Sequence, residues 1–241
     1  MNIIIVKTYE ELSKKAANFI VSQVTLNSAS VLGFATGATP IKTYEYIVGK
    51  YSEDEVDFKD IISFNLDEYI GLGKDDKQSY RYFMEKNLFT KINIKEDNIN
   101  IPNGLAKDIA EECVSYEKKI EDVGGIDLQL LGLGRNGHIG FNEPDVKFEA
   151  QTHKVILDKN TIEANSRFFD SLSQVPIEAI SIGIKTIMMS SKILLLAYGK
   201  NKAEAVKALV SGPITPALPA SILQLHRDVT LIIDEEAGSL L

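Results

Sequence analysis

Short apolar runs alternate with amphipathic segments along nearly the whole chain, and this alternation constrains the fold more than any other feature. The first run, Ile3 to Val6, is followed by Tyr9 to Thr25, in which apolar side chains recur at helical spacing. The runs are apolar throughout rather than at every second position, as is typical of strands covered on both faces. The sequence therefore predicts an α/β fold with three layers, in which helices cover both faces of a mostly parallel, open, Rossmann-like central sheet.

The other apolar runs predict further strands, and the amphipathic segments between them predict further helices. Strands are expected at residues 30–35, 61–66, 127–133, 153–157, 181–184, 193–198 and 229–233. Helices are expected at residues 40–51, 79–89, 108–123 and 202–210. Because no repeat, linker or low-complexity tract interrupts this pattern, we expect a single domain over residues 1–241.

Composition narrows the range of functions. The chain has 241 residues, 44% of them hydrophobic, which is enough for one sizeable core. Its net charge of -8 disfavours nucleic-acid binding, which needs a basic surface, but a few local donors can still bind an anion. The sequence has neither a signal-peptide pattern nor an apolar run of the roughly 18 residues that span a membrane. Its one cysteine, Cys113, cannot form an internal disulfide. We expect a cytoplasmic protein that has a small-molecule partner and binds neither nucleic acid nor membrane.

A turn that contains glycine follows the second predicted strand. Thr36, Gly37, Ala38 and Thr39 lead into a helix, with Thr39 expected as the N-cap and Pro40 as the first helical residue. The free N–H groups and the positive dipole at this helix start would bind an anion. The alternative is an ordinary capped turn. Neither a nucleoside-triphosphate loop nor a dinucleotide fingerprint is present.

Two basic residues, Arg167 and Lys202, could complete this anion site. Each alone is more often a solvated surface charge. Lys202 is the more suggestive, because it opens a predicted helix, where a cation is unfavourable unless an anion is also present.

Two acids, Asp67 and Glu68, follow the third predicted strand. A carboxylate at a strand end can act as a general base when it is shielded from water. The alternative is that Asp67 caps a turn and that Glu68 is exposed.

The richest segment runs from Leu131 to Pro144 and places Asn136, His138 and Glu143 in a glycine-rich turn. His138 can exchange protons near neutral pH, and Glu143 is close enough in sequence to orient it. With only three histidines and one cysteine in the chain, a metal site is poorly supported. Serine hydrolysis is also poorly supported, because no nucleophile elbow is present. The structural alternative is a histidine that is simply packed in a tight turn.

These motifs together resemble those of the glucosamine-6-phosphate deaminases, aldose–ketose isomerases that also release ammonia. The matching segments occur in family order across nearly the whole chain: Ala35 to Pro40, Phe64 to Tyr69, Gly134 to Pro144, Asn165 to Phe169, Gln174 to Pro176 and the turn at Lys202. The resemblance implies that Asp67 is the base that moves a proton between C2 and C1. It implies that His138 opens the sugar ring with support from Glu143, and that Asn136 has a positioning role.

The resemblance also implies an anchor and a product. The phosphate would lie on Thr36 to Thr39, held by Arg167 and Lys202. Neither metal nor organic cofactor would be required, since the C1 aldehyde makes the C2 proton acidic. The products would be fructose 6-phosphate and ammonia.

The chain departs from the large regulated members of this family in two ways. They carry an aspartate where this chain has Asn136. Their allosteric site uses basic residues after the Asn-Glu-Pro turn and a longer tail, whereas this chain has Gln151 to Val155 there and ends soon after Glu236. We therefore expect a short, non-allosteric form that is a monomer or a small homo-oligomer.

Two rival functions remain. A 6-phosphogluconolactonase has a related fold and a similar glycine–histidine turn, but Phe141 to Pro144 are not expected after it. A sugar-phosphate-sensing domain without catalysis would need a DNA-binding module, and the sequence before the first strand has no room for one.

Overall fold

The computed structural model of the protein describes residues 1–158, 162, 171 and 174–241. Its strands are β1 (Asn2–Val6), β2 (Val31–Phe34), β3 (Ile62–Asn65), β4 (Asp67–Tyr69), β5 (Ile99–Asn100), β6 (Leu128–Gly132), β7 (His153–Ile156), β8 (Glu178–Ser181), β9 (Lys192–Ala197) and β10 (Val229–Asp234). Its α-helices are α1 (Tyr9–Leu26), α2 (Ile41–Ser52), α3 (Tyr80–Asn87), α4 (Ile109–Asp122), α5 (Ile184–Met188) and α6 (Ala203–Ser211). Short 3-10 helices lie at Phe89–Lys91, Glu96–Asn98, Lys200–Lys202 and Pro219–Leu225.

The central sheet has seven strands in the described part of the chain, in the order β1-β10-β9-β6-β2-β3-β5, and every pair is parallel. Because Phe34 pairs in register with Asn65, Phe34 and Phe64 point to opposite faces of this sheet. Phe34 packs against Tyr44 of α2, and Phe64 packs against Tyr116 of α4. Helices therefore cover both faces, and the predicted three-layer α/β fold is confirmed.

A second, smaller sheet was not predicted from the sequence. It has the order β4-β8-β7 and is antiparallel, with Asp67 opposite Ser181. The strand predicted at 61–66 is β3, which ends at Asn65, and the chain then enters the second sheet at Asp67 as β4, a strand that the sequence did not predict. The strand expected at 153–157 belongs to this sheet rather than to the central one.

Two local predictions were wrong. The strand expected at 181–184 lies earlier, at Glu178–Ser181, because Gly183 is already the N-cap of α5. Thr39 does not cap α2: Pro40 is the N-cap and no side chain bonds the helix start. The first helical hydrogen bond runs from the Tyr44 N–H to the Pro40 carbonyl, while the Thr39 carbonyl accepts from the hydroxyl of Tyr9.

Helix α1 shows how the sequence sets these elements. Thr8 accepts a hydrogen bond from the Glu11 N–H and so begins the helix. Leu12, Ala16 and Ile20 recur on one face and are fully buried. Among the described residues, no helix is both long and apolar enough to cross a membrane.

Candidate active site

The carboxyl ends of β2, β6 and β9 and the start of β4 surround a cavity of about 900 Å³. Parallel strands all present their carboxyl ends at one edge, which is where ligands bind in such sheets. Polar groups predicted from separate parts of the sequence line this cavity together: Thr36, Gly37, Ala38, Thr39, Asp67, Asn136, His138 and Lys202. Glu143 contacts this set from behind His138. Arg167 lies outside the described residues.

The turn after β2 presents backbone donors. In the described structure, the N–H groups of residues 36–39 donate to no other protein group. The Tyr9 hydroxyl lies 3.0 Å from the Ala38 carbonyl oxygen and 2.9 Å from that of Thr39. Because the C=O and N–H of a trans peptide point in opposite directions, the Thr39 N–H faces away from Tyr9. Gly37 has a φ of 95°, a conformation that strains any other residue. The turn is therefore shaped to bind an anion.

Lys202 approaches the cavity from a different strand end. It closes the 3-10 turn before α6, and its Nζ donates to the Leu133 carbonyl at 2.6 Å. The turn is fixed at its other end, where the Gly199 N–H donates to Asp234 Oδ1 at 2.9 Å. A partly buried contact across two strand ends thus holds this cation beside the cavity.

Asp67 lies in the wall of the cavity and is only 6% exposed. Its Oδ1 atom accepts no hydrogen bond from the described residues. Burial raises the pKa of this carboxyl well above its usual range, and the adjacent charge of Glu68 adds to the effect. A carboxylate shielded in this way is a stronger base than one in water. The alternative that Asp67 only caps a turn is not supported by these contacts.

Glu68 is buried rather than exposed, so the second half of that alternative is wrong. Its Oε1 accepts from the N–H groups of Tyr69 and Tyr80 at 2.8 and 2.9 Å, and its Oε2 accepts from that of Arg81 at 2.9 Å. Burial raises the pKa of Glu68 to about 7, while the three N–H donors act in the opposite direction.

His138, Glu143 and Asn136 meet at one carboxylate oxygen. Glu143 Oε2 lies 3.3 Å from His138 Nδ1 and accepts from Asn136 Nδ2 at 2.9 Å. Asn136 Oδ1 in turn accepts from the His138 N–H at 3.3 Å. The glycine-rich turn brings these groups together, since Gly137 has a φ of 82° and a side chain at Gly134 would overlap the imidazole. The arrangement places His138 at the cavity with a carboxylate 3.3 Å from Nδ1, although that atom makes no hydrogen bond in the described structure. A histidine beside a carboxylate is the arrangement of an acid–base pair.

Several residues in the cavity wall were missed from the sequence. Tyr80 lies beside Thr36, stacks on Phe141 with centroids 5.8 Å apart, and its hydroxyl is 3.3 Å from that of Tyr69. Tyr198 also lines the cavity and stacks on Tyr9 at 4.6 Å. Lone tyrosines at helical spacing or at a strand end are indistinguishable from core residues, so no sequence signal distinguished them.

Two basic residues that follow β6 differ in their position relative to the cavity. Arg135 lines the cavity, whereas Lys147 pairs with Glu149 at 2.7 Å away from it. In the described part of the chain, no group of three or more acidic, histidine or cysteine side chains could hold a metal ion.

The sequence model of one protein family, described as glucosamine-6-phosphate isomerases/6-phosphogluconolactonase, matches residues 7–232. The chain is 57% identical to a glucosamine-6-phosphate deaminase of Clostridium botulinum (strain Loch Maree / Type A3), covering 99% of this chain and 98% of the relative. It is 54% identical to one of Thermoanaerobacter sp. (strain X514), over 100% and 95% of the two chains.

Solved structures agree in fold. A monomeric glucosamine-6-phosphate deaminase superposes with a TM-score of 0.98 at 46% identity, over the full length of both chains. A 6-phosphogluconolactonase from Trypanosoma cruzi superposes with a TM-score of 0.79 at 20% identity, over 100% of this chain and 96% of the other. At that identity the second likeness concerns the fold alone.

Proposed function

This chain belongs to the family of glucosamine-6-phosphate isomerases and 6-phosphogluconolactonases, and we propose that it is a glucosamine-6-phosphate deaminase. The reaction converts D-glucosamine 6-phosphate and water to D-fructose 6-phosphate and ammonia. The observation that carries the proposal is the meeting, in one cavity, of an anion-binding turn, a buried carboxylate and a histidine–carboxylate pair. The distances and burial of these groups support the following roles.

The anchor is the turn at Thr36 to Thr39 together with Lys202. Backbone N–H groups and a lysine ammonium are the donors that suit a phosphate dianion. Arg167 is proposed as a further phosphate ligand on the basis of its motif. Binding at C6 holds the distant reacting carbons in place, so that binding energy lowers the barrier of the chemical step.

The first chemical step is ring opening at His138. The C1 hydroxyl loses its proton, the bond between C1 and the ring oxygen breaks, and the ring oxygen gains a proton. His138 exchanges these protons, and Glu143 stabilises its protonated form. Asn136 holds Glu143 beside the His138 backbone, because it forms a hydrogen bond with each of them.

The second step is proton transfer by Asp67. The C1 aldehyde makes the C2 proton acidic, so the Asp67 carboxylate removes it and gives an enolamine. Return of the proton to C1 gives an imine at C2. Water adds to this imine, and the nitrogen leaves as ammonia, which balances the reaction without a cofactor.

The deaminase function is favoured over lactone hydrolysis by the degree of similarity. Identity is 46–57% over the whole chain with deaminases, against 20% with the lactonase structure above. The segment Phe141 to Pro144 also contributes Glu143 to the proton-transfer pair.

The test is direct assay of the purified chain. With glucosamine 6-phosphate we expect ammonia and fructose 6-phosphate in equal amounts, and with unphosphorylated glucosamine we expect almost no turnover. Hydrolysis of 6-phosphogluconolactone without ammonia release would select the lactonase. Binding of the sugar phosphate with no product of either kind would select a sensing role.

We further propose a monomer without allosteric activation, in line with the monomeric deaminase that this chain resembles at 46% identity. Light scattering and a substrate curve measured with and without N-acetylglucosamine 6-phosphate test this. A sigmoidal curve that the compound makes hyperbolic would refute it. A cytoplasmic location is proposed because a phosphorylated sugar does not cross membranes unaided.

A further inference from the structure

One buried carboxylate in the site has no part in the steps above. Glu68 lies between Asp67 of β4 and the start of α3, and it is 3% exposed. Its two oxygens accept three backbone N–H groups, one from β4 itself and two from the first turn of α3. The side chain therefore joins the strand that carries Asp67 to the helix that carries Tyr80.

Helix α3 already has its own cap. The Ser79 hydroxyl accepts from the Tyr82 N–H at 3.0 Å, as an N-cap side chain ordinarily does. Glu68 accepts from the first two N–H groups of the helix, those of Tyr80 and Arg81, which a helix at a surface leaves to water. The contact is therefore additional to what the helix needs in order to begin.

No cation compensates the buried charge of Glu68 among the described contacts. The Arg81 guanidinium pairs with Glu85 and Glu96 instead. The acid that acts on Glu68 from the neighbouring loop is Asp76, and the one beside it on β4 is Asp67. A buried carboxylate without a cation is destabilising even when N–H groups donate to it, so a purely structural link would cost less free energy with a neutral side chain.

We propose that Glu68 is a positioning residue for the deamination, which holds Asp67 and Tyr80 at a fixed separation across the cavity. The proposal rests on the function proposed above. Glu68 is linked to Asp67 by one peptide bond and to Tyr80 by the hydrogen bond that the Tyr80 N–H donates. The phosphate anchor, at residues 36–39 and Lys202, is on other elements, so Glu68 acts on the reacting carbons and not on the phosphate.

The same geometry gives a pH signature. The groups that face Asp67 are Tyr44 from α2, Tyr80 from α3 and Tyr116 from α4, and burial raises the pKa of all three phenols. These phenols stay neutral near pH 7. Apart from His138, which also lines the cavity, Glu68 is therefore the described neighbour whose charge can change the proton affinity of Asp67.

The experiment compares Glu68→Gln with Glu117→Gln, a matched control. Glu117 is also a buried carboxylate, and it accepts from the Thr152 N–H and from the Thr186 hydroxyl, away from the cavity lining. For Glu68→Gln we expect kcat to fall about ten-fold or more, since small misplacements of reacting groups are costly. We expect KM to stay within about three-fold, because the phosphate contacts that dominate binding are kept.

The pH profile separates positioning from simple destabilisation. Removing the Glu68 charge should move the acid limb of kcat/KM to lower pH, because a negative neighbour no longer raises the pKa of Asp67. Glu117→Gln should lower Tm and leave kcat and the limb unchanged. Glu68→Asp keeps the charge but shortens the reach, so it should keep the limb while kcat stays low.

The experiment distinguishes failure of the Glu68 role from failure of the proposed deaminase function. An unsubstituted chain that releases no ammonia would remove the proposed function itself. An active chain whose Glu68→Gln variant keeps kcat and the acid limb would overturn only the role of Glu68. If Glu68→Gln does not fold, Glu68→Asp decides alone, and an unchanged kcat in that variant overturns the proposal.

Discussion

Asp67→Asn tests the proposed base most directly. Asparagine has nearly the same shape, so the cavity should keep its form, but an amide cannot take a proton from C2. General-base catalysis contributes about 10²–10⁴-fold to a rate, so we expect ammonia release to fall about 10³-fold. The proposed phosphate anchor lies on the turn between β2 and α2 and on the turn at Lys202, so substrate binding should persist.

The pH dependence of stability gives a second, independent test of this variant. The pKa of Asp67 is higher in the folded state than in the unfolded state, where it is near 4. The contribution of Asp67 to the free energy of unfolding is therefore full below about pH 4 and is lost as the pH rises through the folded pKa. Asparagine has no such loss, so the variant should gain on the parent as pH increases. Each unit of pKa shift is worth about 1.4 kcal/mol, and each kcal/mol moves Tm by about 2–4 °C in a chain of this size.

The assay is exchange in deuterated water. Unsubstituted protein should exchange the C2 proton of glucosamine 6-phosphate with solvent, as followed by proton NMR, and Asp67→Asn should not. Asp127→Asn is the control, because that carboxylate accepts the Val31 N–H at 2.8 Å and is not in the cavity lining. Exchange that survives in Asp67→Asn while binding is intact would show that the base is elsewhere. A Tm difference that does not grow with pH would refute the argument from burial.

Three other substitutions probe the remaining parts of the site. Tyr9→Phe removes the hydroxyl that donates to the Ala38 carbonyl, a hydrogen bond worth about 0.5–1.5 kcal/mol. The KM should therefore rise about 2–13-fold with kcat nearly unchanged. An unchanged KM would contradict the role of Tyr9. Lys202→Met removes a charge-assisted phosphate contact, and calorimetry should show substrate binding weakened about 10–150-fold; a pure turnover defect would count against the anchor. Gly134→Ala displaces the His138 ring, so kcat should fall about ten-fold while an acyclic amino-sugar phosphate still binds normally; loss of that binding would mean a wider distortion.

Much of the fold follows from periodicity alone. Most strands of the central sheet are largely apolar, and helices such as α1 have both a cap and an apolar face, so these elements are specified locally. The two-residue strand β5 has no such pattern and was not predicted. The second sheet is different. Its strand β4 is three residues long and pairs with β8, which comes more than a hundred residues later in the chain. No local pattern at Asp67 encodes that pairing, so the sequence predicted the strand that ends before Asp67 but not the one that begins there.

The site divides in the same way. Asp67, His138 and Lys202 could be predicted because their chemistry is unusual at a strand end, and the structure brings them to one cavity. Tyr80 and Tyr198 could not, since their role comes from tertiary stacking. Glu68 was undecided because a sequence does not reveal which carboxylate finds backbone donors in another element. The roles of these residues in the reaction stay predictions.

The division into two sheets has a consequence for substrate selection. The anion-binding turn extends from the central sheet, whereas Asp67 belongs to the small antiparallel one. In the proposed reaction, the offset between the two sheets sets the distance from the bound phosphate to the carbon that loses its proton. A shift in the packing of the small sheet would place a different substrate carbon beside the Asp67 carboxylate, although every catalytic group is retained. A relative with the same central sheet would then select a different sugar phosphate through a changed offset between the sheets, while its catalytic residues stay the same.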